Sequence, residues 1–343
     1  MVPTARGAEV SAAGAIVMDA ASGRVLWEKD SHTPRPVASV TKLMTALVAL
    51  ESGRDLEEPI AIRPEWVGAE GSSLYLKAGE RVTLEGLLYG MLLRSGNDGA
   101  LAVAGTCGGS VEDFVARMNR RAAALGMAHT RFADPCGLND AGVSSAYDLA
   151  LLARACLQND TLAEMVATRT RDMDGRVLVN HNKLLWRYAG CIGLKTGYTK
   201  RAGRTLVSAA RREGLTLICV TLNDGDDWAD HAALLDGAFA RYHSQPLVQA
   251  GETVAQLPVR DSLLPVCPVT AAADASVALA EGETAERRLE WDTAVLTAPV
   301  PDGVPVGALV CTVNGREVAR VPLTASGAGR DVLPARGWRF WER

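Results

Sequence analysis

The chain has 343 residues, a net charge of −4 and 48% hydrophobic content. That length allows a full core and two domains, and no basic run or aromatic-basic alternation points to nucleic acid. No stretch approaches 18 consecutive apolar residues, so nothing reads as membrane-spanning. Met1 to Val10 carry Arg6 and Glu9 without an apolar run, so no signal peptide is visible, which fits a cytoplasmic protein or a mature form without its leader. In chain order, Ala15–Met18 and Arg24–Trp27 flank Asp19-Ala20-Ala21-Ser22-Gly23 as an opening β-hairpin. Val40 to about Leu50 has apolar residues at helical spacing and stops at Gly53. Thr83–Arg94 reads as an apolar helix with Thr83 as N-cap. Asp98–Ala104, Val111–Leu125 and Ser145–Leu157 read as further helices, the last behind the capping pattern Ser144-x-x-x-Asp148. Arg204–Ala210 and Leu215–Leu222 alternate like paired strands, and Asp230–Tyr242 closes the region as a helix. A mixed sheet with helices packed on it accounts for this order, which makes the class α/β.

After Gln245 short β-branched segments alternate with Gly, Pro and Asp: Thr253–Leu257, Ser276–Leu279 and Ala294–Leu296. Leu309–Val313 and Glu317–Leu323 flank Asn314-Gly315, a strong hairpin signal. The expected division is therefore 1–245 and a small all-β domain over 246–343. The seven cysteines are widely spaced, no C-x-x-C occurs and the five histidines form no His-x-x-x-His pair. Small buried thiols are expected, with no metal and no cofactor.

Six lysines stand against 30 arginines. Arginine stays protonated in a protein, whereas a desolvated lysine loses its proton readily. Lys42, three residues after Ser39, lies on the same helix face and is a candidate base for that hydroxyl, with Ser39 expected at a helix N-terminus. Ser95-Gly96-Asn97 falls at the break between two apolar helices, where a serine and an amide can point into one cleft; the same triplet is also ordinary turn chemistry. Lys195-Thr196-Gly197 reads as an edge strand on which Gly197 admits a ligand backbone, or as a plain surface strand.

Together and in this order, the three motifs are those of class A β-lactamases and penicillin-binding proteins. From Ala15 to about Tyr242 the chain resembles the low-molecular-mass penicillin-binding proteins, the serine-type D-Ala-D-Ala carboxypeptidases. Ala38–Thr45, Arg94–Asp98, Lys195–Thr199, Gly137-Leu138, Ser144–Asp148 and Asn182–Leu185 all carry the likeness. The segment after Gln245 resembles the β-rich C-terminal domain of many members, with Ala298-Pro299-Val300 and Gly307 in familiar order. The resemblance implies a β-lactamase/transpeptidase-like catalytic domain that removes the terminal D-alanine from peptidoglycan stem pentapeptides and is acylated by β-lactam antibiotics. It implies Ser39 as nucleophile and Lys42 as base, with a pKa depressed beside Lys195. Ser95 then relays a proton to the leaving group, Asn97 orients Lys42 and the substrate amide, and Lys195 supplies positive potential. Thr196, Gly197 and Tyr198 hold substrate, with the N–H groups of Ser39 and Tyr198 as the oxyanion hole. It also implies work in the cell envelope, outside the cytoplasmic membrane.

One departure stands out. Many relatives carry an arginine at the start of the closing helix to hold the substrate carboxylate, whereas Asp224–His231 here is acidic and has none, leaving Lys195, Thr196 and Arg204 or Lys200. A class A β-lactamase is the nearest alternative, but the stretch Arg131–Asp140 lacks the water-activating glutamate such enzymes use. A sensor that binds cell-wall peptide or β-lactam without hydrolysis is the other. Arg336–Arg343 mixes Trp338, Phe340 and Trp341 with cations, a composition suited to weak membrane-surface contact or to packing on the β domain.

Overall fold

The computed structural model describes residues 9–173 and 175–326. Its contacts divide the chain into Met1–Arg241 and Tyr242–Arg343. The expected boundary at 245 lies four residues later. Tyr242–Val248 is already a strand, and it pairs with Ala275–Ala280 of the second unit.

The first unit opens with β1 (Gly14–Asp19) and β2 (Val25–Lys29), the expected hairpin, followed by a 3-10 turn at Ala38–Thr41 and α1 (Lys42–Leu50). A small hairpin, β3 (Pro59–Ala61) with β4 (Arg81–Thr83), precedes α2 (Leu84–Leu93), α3 (Asn97–Gly108), α4 (Val111–Ala124), α5 (Ala146–Gln158) and α6 (Asp160–Ala167). A second small hairpin, β5 (Thr170–Met173) with β6 (Arg176–Val179), and the short α7 (Leu184–Arg187) lead to the long strands β7 (Cys191–Thr199), β8 (Gly203–Arg212) and β9 (Leu215–Asp224), and α8 (Asp227–Arg241) closes the unit.

The main sheet has the order β2-β1-β9-β8-β7. Every pairing in it is antiparallel, so the sheet is not mixed: β1–β2, β7–β8 and β8–β9 are successive hairpins, and β9 returns against β1. Side chains alternate across its faces. Ile218, Val220 and Leu222 of β9 join the helical core with Leu149 and Leu152 of α5. On the other face, Ser208 of β8 and Thr221 of β9 meet the two ring nitrogens of His231 from α8, at 2.7 and 3.0 Å. Residues 42–49 of α1 are all buried, because other helices surround it on all sides.

The caps explain where helices begin. Thr83 Oγ1 accepts from Gly86 N, as the sequence suggests. For α5 the cap is Ser145, whose hydroxyl accepts from Asp148 N, not Ser144; the Ser144 hydroxyl instead meets Thr130 Oγ1 at 2.7 Å.

The second unit continues with β10 (Tyr242–Val248), β11 (Thr253–Arg260), β12 (Val266–Ala271), β13 (Ala275–Ala280), β14 (Ala285–Trp291), β15 (Leu296–Thr297), β16 (Val304–Val313) and β17 (Arg316–Ala325). They form the pair β10-β13 and a six-stranded sheet of order β14-β16-β17-β12-β11-β15 around Cys267, Val269, Val306, Cys311 and Leu323. Asn314 and Gly315 take φ of 52° and 74°, as the two-residue turn between β16 and β17 requires. All seven cysteines are free thiols, six of them buried. The basic-aromatic end at residues 336–343 lies outside the described residues.

Candidate active site

Three segments from distant parts of the first unit converge on one point. Ser39 sits inside the 3-10 turn that runs into α1, rather than at the helix N-terminus itself, and Lys42 is the first residue of α1. Lys42 is fully buried and its Nζ meets three oxygens: Ser39 Oγ at 3.0 Å, Asn97 Oδ1 at 2.7 Å and the Cys136 carbonyl at 2.8 Å. Two of the three can only accept. A neutral amine has two hydrogens and one lone pair, so giving both hydrogens to Asn97 and Cys136 leaves the lone pair facing the Ser39 hydroxyl. The geometry therefore favours the amine as a base.

Burial pushes the Lys42 pKa down to about 8, with Cys136, Asp134 and Asp98 pulling it part of the way back up. Desolvation is the largest cause of the depression, and because repulsion between two cations is mutual, the facing Lys195 works in the same direction. For Lys195 the order is the same: burial lowers its pKa well below the ordinary lysine value, and the Lys42 charge lowers it further.

Ser95 and Asn97 are aimed by the turn between α2 and α3. Ser95 adopts φ of 62°, in the left-handed region. The buried Asp98 carboxylate fixes the facing loop by accepting from the N–H groups of Leu74, Leu76 and Gly99 and from Ser73 Oγ. Asn97 Nδ2 donates to the Glu70 carbonyl at 2.6 Å, which orients Oδ1 toward Lys42.

Lys195 lies on the edge strand β7, nearly fully buried, and its Nζ donates to Ser95 Oγ and to the Thr196 carbonyl, both at 3.1 Å. Two sets of polar contacts thus face each other, Ser39–Lys42–Asn97 on one side and Ser95–Lys195 on the other. Gly197 permits the close approach of β7 to the Ser39 turn: a Cβ there would fall 3.1 Å from Ser39 N and 2.4 Å from Thr205 Oγ1.

A cleft of about 610 Å³ opens over these groups. Ser39, Ser95, Thr196, Gly197 and Tyr198 line it, so the sequence-selected residues meet in one place. Lys42, Asn97 and Lys195 stand behind its wall. Arg204 also lines the cleft, whereas Lys200 is an exposed turn residue outside it.

Several participants escaped the sequence reading. The Cys136 carbonyl is one: Asp134 accepts from the N–H groups of Cys136, Gly137 and Asn139, and the resulting turn points the carbonyl at Lys42. The Asp-Pro-Cys-Gly run was a turn signal for it. Asp134 thus serves to hold this turn, and the stretch Arg131–Asp140 contains no glutamate. His181, Ser72, Asp227 and Trp228 complete the walls. Partial burial, then the Lys195 and Arg94 charges, push the His181 pKa down to about 4, so its ring is neutral at pH 7. Among the described residues no cluster suited to a metal ion occurs.

The model of the D-alanyl-D-alanine carboxypeptidase family, peptidase family S11, matches residues 1–226. The chain belongs to this family. Among its S11 relatives, D-alanyl-D-alanine carboxypeptidase DacF of Bacillus subtilis is 31% identical over 330 residues, covering 92% of this chain and 85% of the relative. DacB2 of Mycobacterium tuberculosis is 37% identical over 238 residues, covering 66% and 81%. Among solved structures, penicillin binding protein 5 from Haemophilus influenzae aligns with a TM-score of 0.81 at 26% identity, over 96% of this chain and 99% of that one.

Proposed function

We propose that this S11 member is a serine D-Ala-D-Ala carboxypeptidase that trims the terminal D-alanine from peptidoglycan stem pentapeptides, and that β-lactams acylate it at the same serine. The observation that carries the reading is the three-way contact of buried Lys42 with Ser39 Oγ, Asn97 Oδ1 and the Cys136 carbonyl. Lys42 takes the Ser39 proton as Oγ attacks the carbonyl of the penultimate D-alanine. The N–H groups of Ser39 and Tyr198 hold the oxyanion, which the close seating of Gly197 against Ser39 supports. As the C–N bond breaks, Ser95 relays to the departing amine the proton that Lys42 took from Ser39, while Lys195, bonded to Ser95, holds its hydroxyl and supplies positive potential. Thr196 and Tyr198 line the path of the peptide. Water then cleaves the ester, returns Ser39 and releases the shortened peptide.

A peptidoglycan substrate supports work in the cell envelope, on the outer side of the cytoplasmic membrane, and the basic-aromatic composition of residues 336–343 suits a weak contact with that surface. Fluorescent penicillin followed by a D-Ala-D-Ala peptide tests the reading. Persistent labelling with release of D-alanine, both abolished in Ser39→Ala, is the expected result. Labelling without release points instead to a sensor, and rapid turnover of the drug to a lactamase.

A further inference from the structure

The stretch leading into the closing helix, Asp224–His231, is acidic and carries no arginine, and the structure shows what stands there. Asp227 is the first residue of α8, is 3% exposed, and lies with its Oδ1 at 3.1 Å from Nη2 of Arg204. Arg204 comes from β8, opposite Tyr198 on β7. The local fold accounts for this meeting. Between β8 and β9 the register slips after Arg204, so that Arg204 faces Asp224 while Thr205 already faces Leu222. Asn223 is the extra residue, with φ of 49°, and the bulge turns the chain into the start of α8. Gly203, at φ of 67°, is needed beside it because a Cβ there would fall 2.4 Å from Asn223 Oδ1.

Among the residues that line the cleft, Arg204 is the one permanent cation, since His181 is neutral at pH 7. Asp227, which also lines the cleft but is only 3% exposed, is its ion-pair partner among the described residues. Arg204 itself stays half exposed to the cleft, and its 3.1 Å contact with Asp227 is an ion pair that leaves guanidinium N–H donors for a ligand.

We infer that Arg204 is the specificity-determining residue that reads the free terminal carboxylate of the substrate, and that Asp227 is the positioning residue that holds its guanidinium at the cleft wall. The inference rests on the proposed carboxypeptidase activity and names the group on which its choice of substrate depends. The cation is carried by the strand next to Tyr198 and is braced by the helix, instead of being carried by the helix. A planar guanidinium fixed at one nitrogen keeps a fork of donors for a carboxylate.

The test compares two peptides, one ending in D-Ala-D-Ala with a free carboxylate and the same peptide as its C-terminal amide. Release of D-alanine or D-alaninamide is followed by mass spectrometry. Arg204→Gln is expected to lower the acid-to-amide ratio of kcat/KM by about 10- to 100-fold, mainly through KM. Arg204→Lys recovers part of that ratio, because it keeps the charge and loses the fork. Asp227→Asn, close to isosteric, lowers the ratio by roughly 3- to 10-fold without a comparable change in kcat. An unchanged ratio in Arg204→Gln overturns the role of Arg204, and an unchanged ratio in Asp227→Asn overturns the positioning role. Should Arg204→Gln show no melting transition, Arg204→Lys decides, and wild-type selectivity in that variant counts against the proposal. Wild-type enzyme that releases no D-alanine from the acid sinks the carboxypeptidase reading and this inference together. Release by wild type with an unmoved ratio in the variants sinks the inference alone.

Discussion

Acylation of Ser39 is expected to follow the titration of Lys42. With its pKa at about 8, roughly one Lys42 in ten is neutral at pH 7 and nearly all are neutral at pH 9. The second-order rate of penicillin labelling is therefore expected to rise about tenfold from pH 7 to a plateau above pH 9. At the ordinary lysine value of 10.5, only about three in ten thousand would be neutral at pH 7, so burial increases the reactive form by roughly 300-fold. The same shift enters stability with a definite sign. The unfolded chain binds the Lys42 proton more tightly than the folded one, so the charged lysine costs the fold about 3 kcal/mol below pH 8. That cost fades as pH rises from about 8 to 10.5, and stability measured by urea unfolding gains the same amount over this window. Lys42→Met removes the penalty, so its advantage over wild type shrinks across that range. Lys42→Arg keeps a permanent cation at the site and should lose acylation almost completely. Stopped-flow labelling of wild type from pH 6.5 to 9.5 is the assay. A flat profile, or near-normal acylation by Lys42→Arg, refutes Lys42 as the base.

Lys195→Arg should retain some labelling, because the proposed electrostatic part of its role survives; complete loss would show that its proton matters as much as its charge. Gly137→Ala should destabilise the first unit by roughly 4 kcal/mol in urea unfolding and slow acylation. Its φ is 81° and a new Cβ would fall 1.8 Å from the Ala38 carbonyl, beside the turn that carries Ser39. Wild-type stability would show that this contact relaxes freely. His231, fully buried between Ser208 and Thr221, has its pKa lowered by burial to about 3. The unfolded chain binds that proton from about pH 6.5 downward, so stability falls by up to about 4 kcal/mol as pH drops from 6.5 to 3. In His231→Gln the slope of melting temperature against pH over that window should be shallower, and an equal slope would assign acid lability to other groups.

Local chemistry made part of this molecule readable from residues alone. Thr83 announces α2 because a hydroxyl before an apolar run satisfies a free N–H, and Asn314-Gly315 announces a hairpin because both positions need positive φ. Ser39, Lys42, Ser95, Asn97 and Lys195 stood out because each motif puts a reactive group on a local element with a defined direction. What stayed hidden depended on long-range placement. The Cys136 carbonyl is a backbone atom that carries no residue signature, and it reaches Lys42 only because the Asp134 turn folds across from the 3-10 segment. The larger cause of the Lys42 shift is hidden for a related reason: depth of burial is a property of the packed helices around α1, whereas the motifs alone reveal only the facing Lys195 charge. Ser144 and Ser145 both suit a cap by type, and one residue of register decides which hydroxyl faces Asp148 N. Arg204 and Asp227 show the same limit most clearly. Their separation of 23 residues says nothing until the bulge at Asn223 swings α8 back over the strand, and only then does an acidic helix start become the brace for a cation instead of a gap in the site.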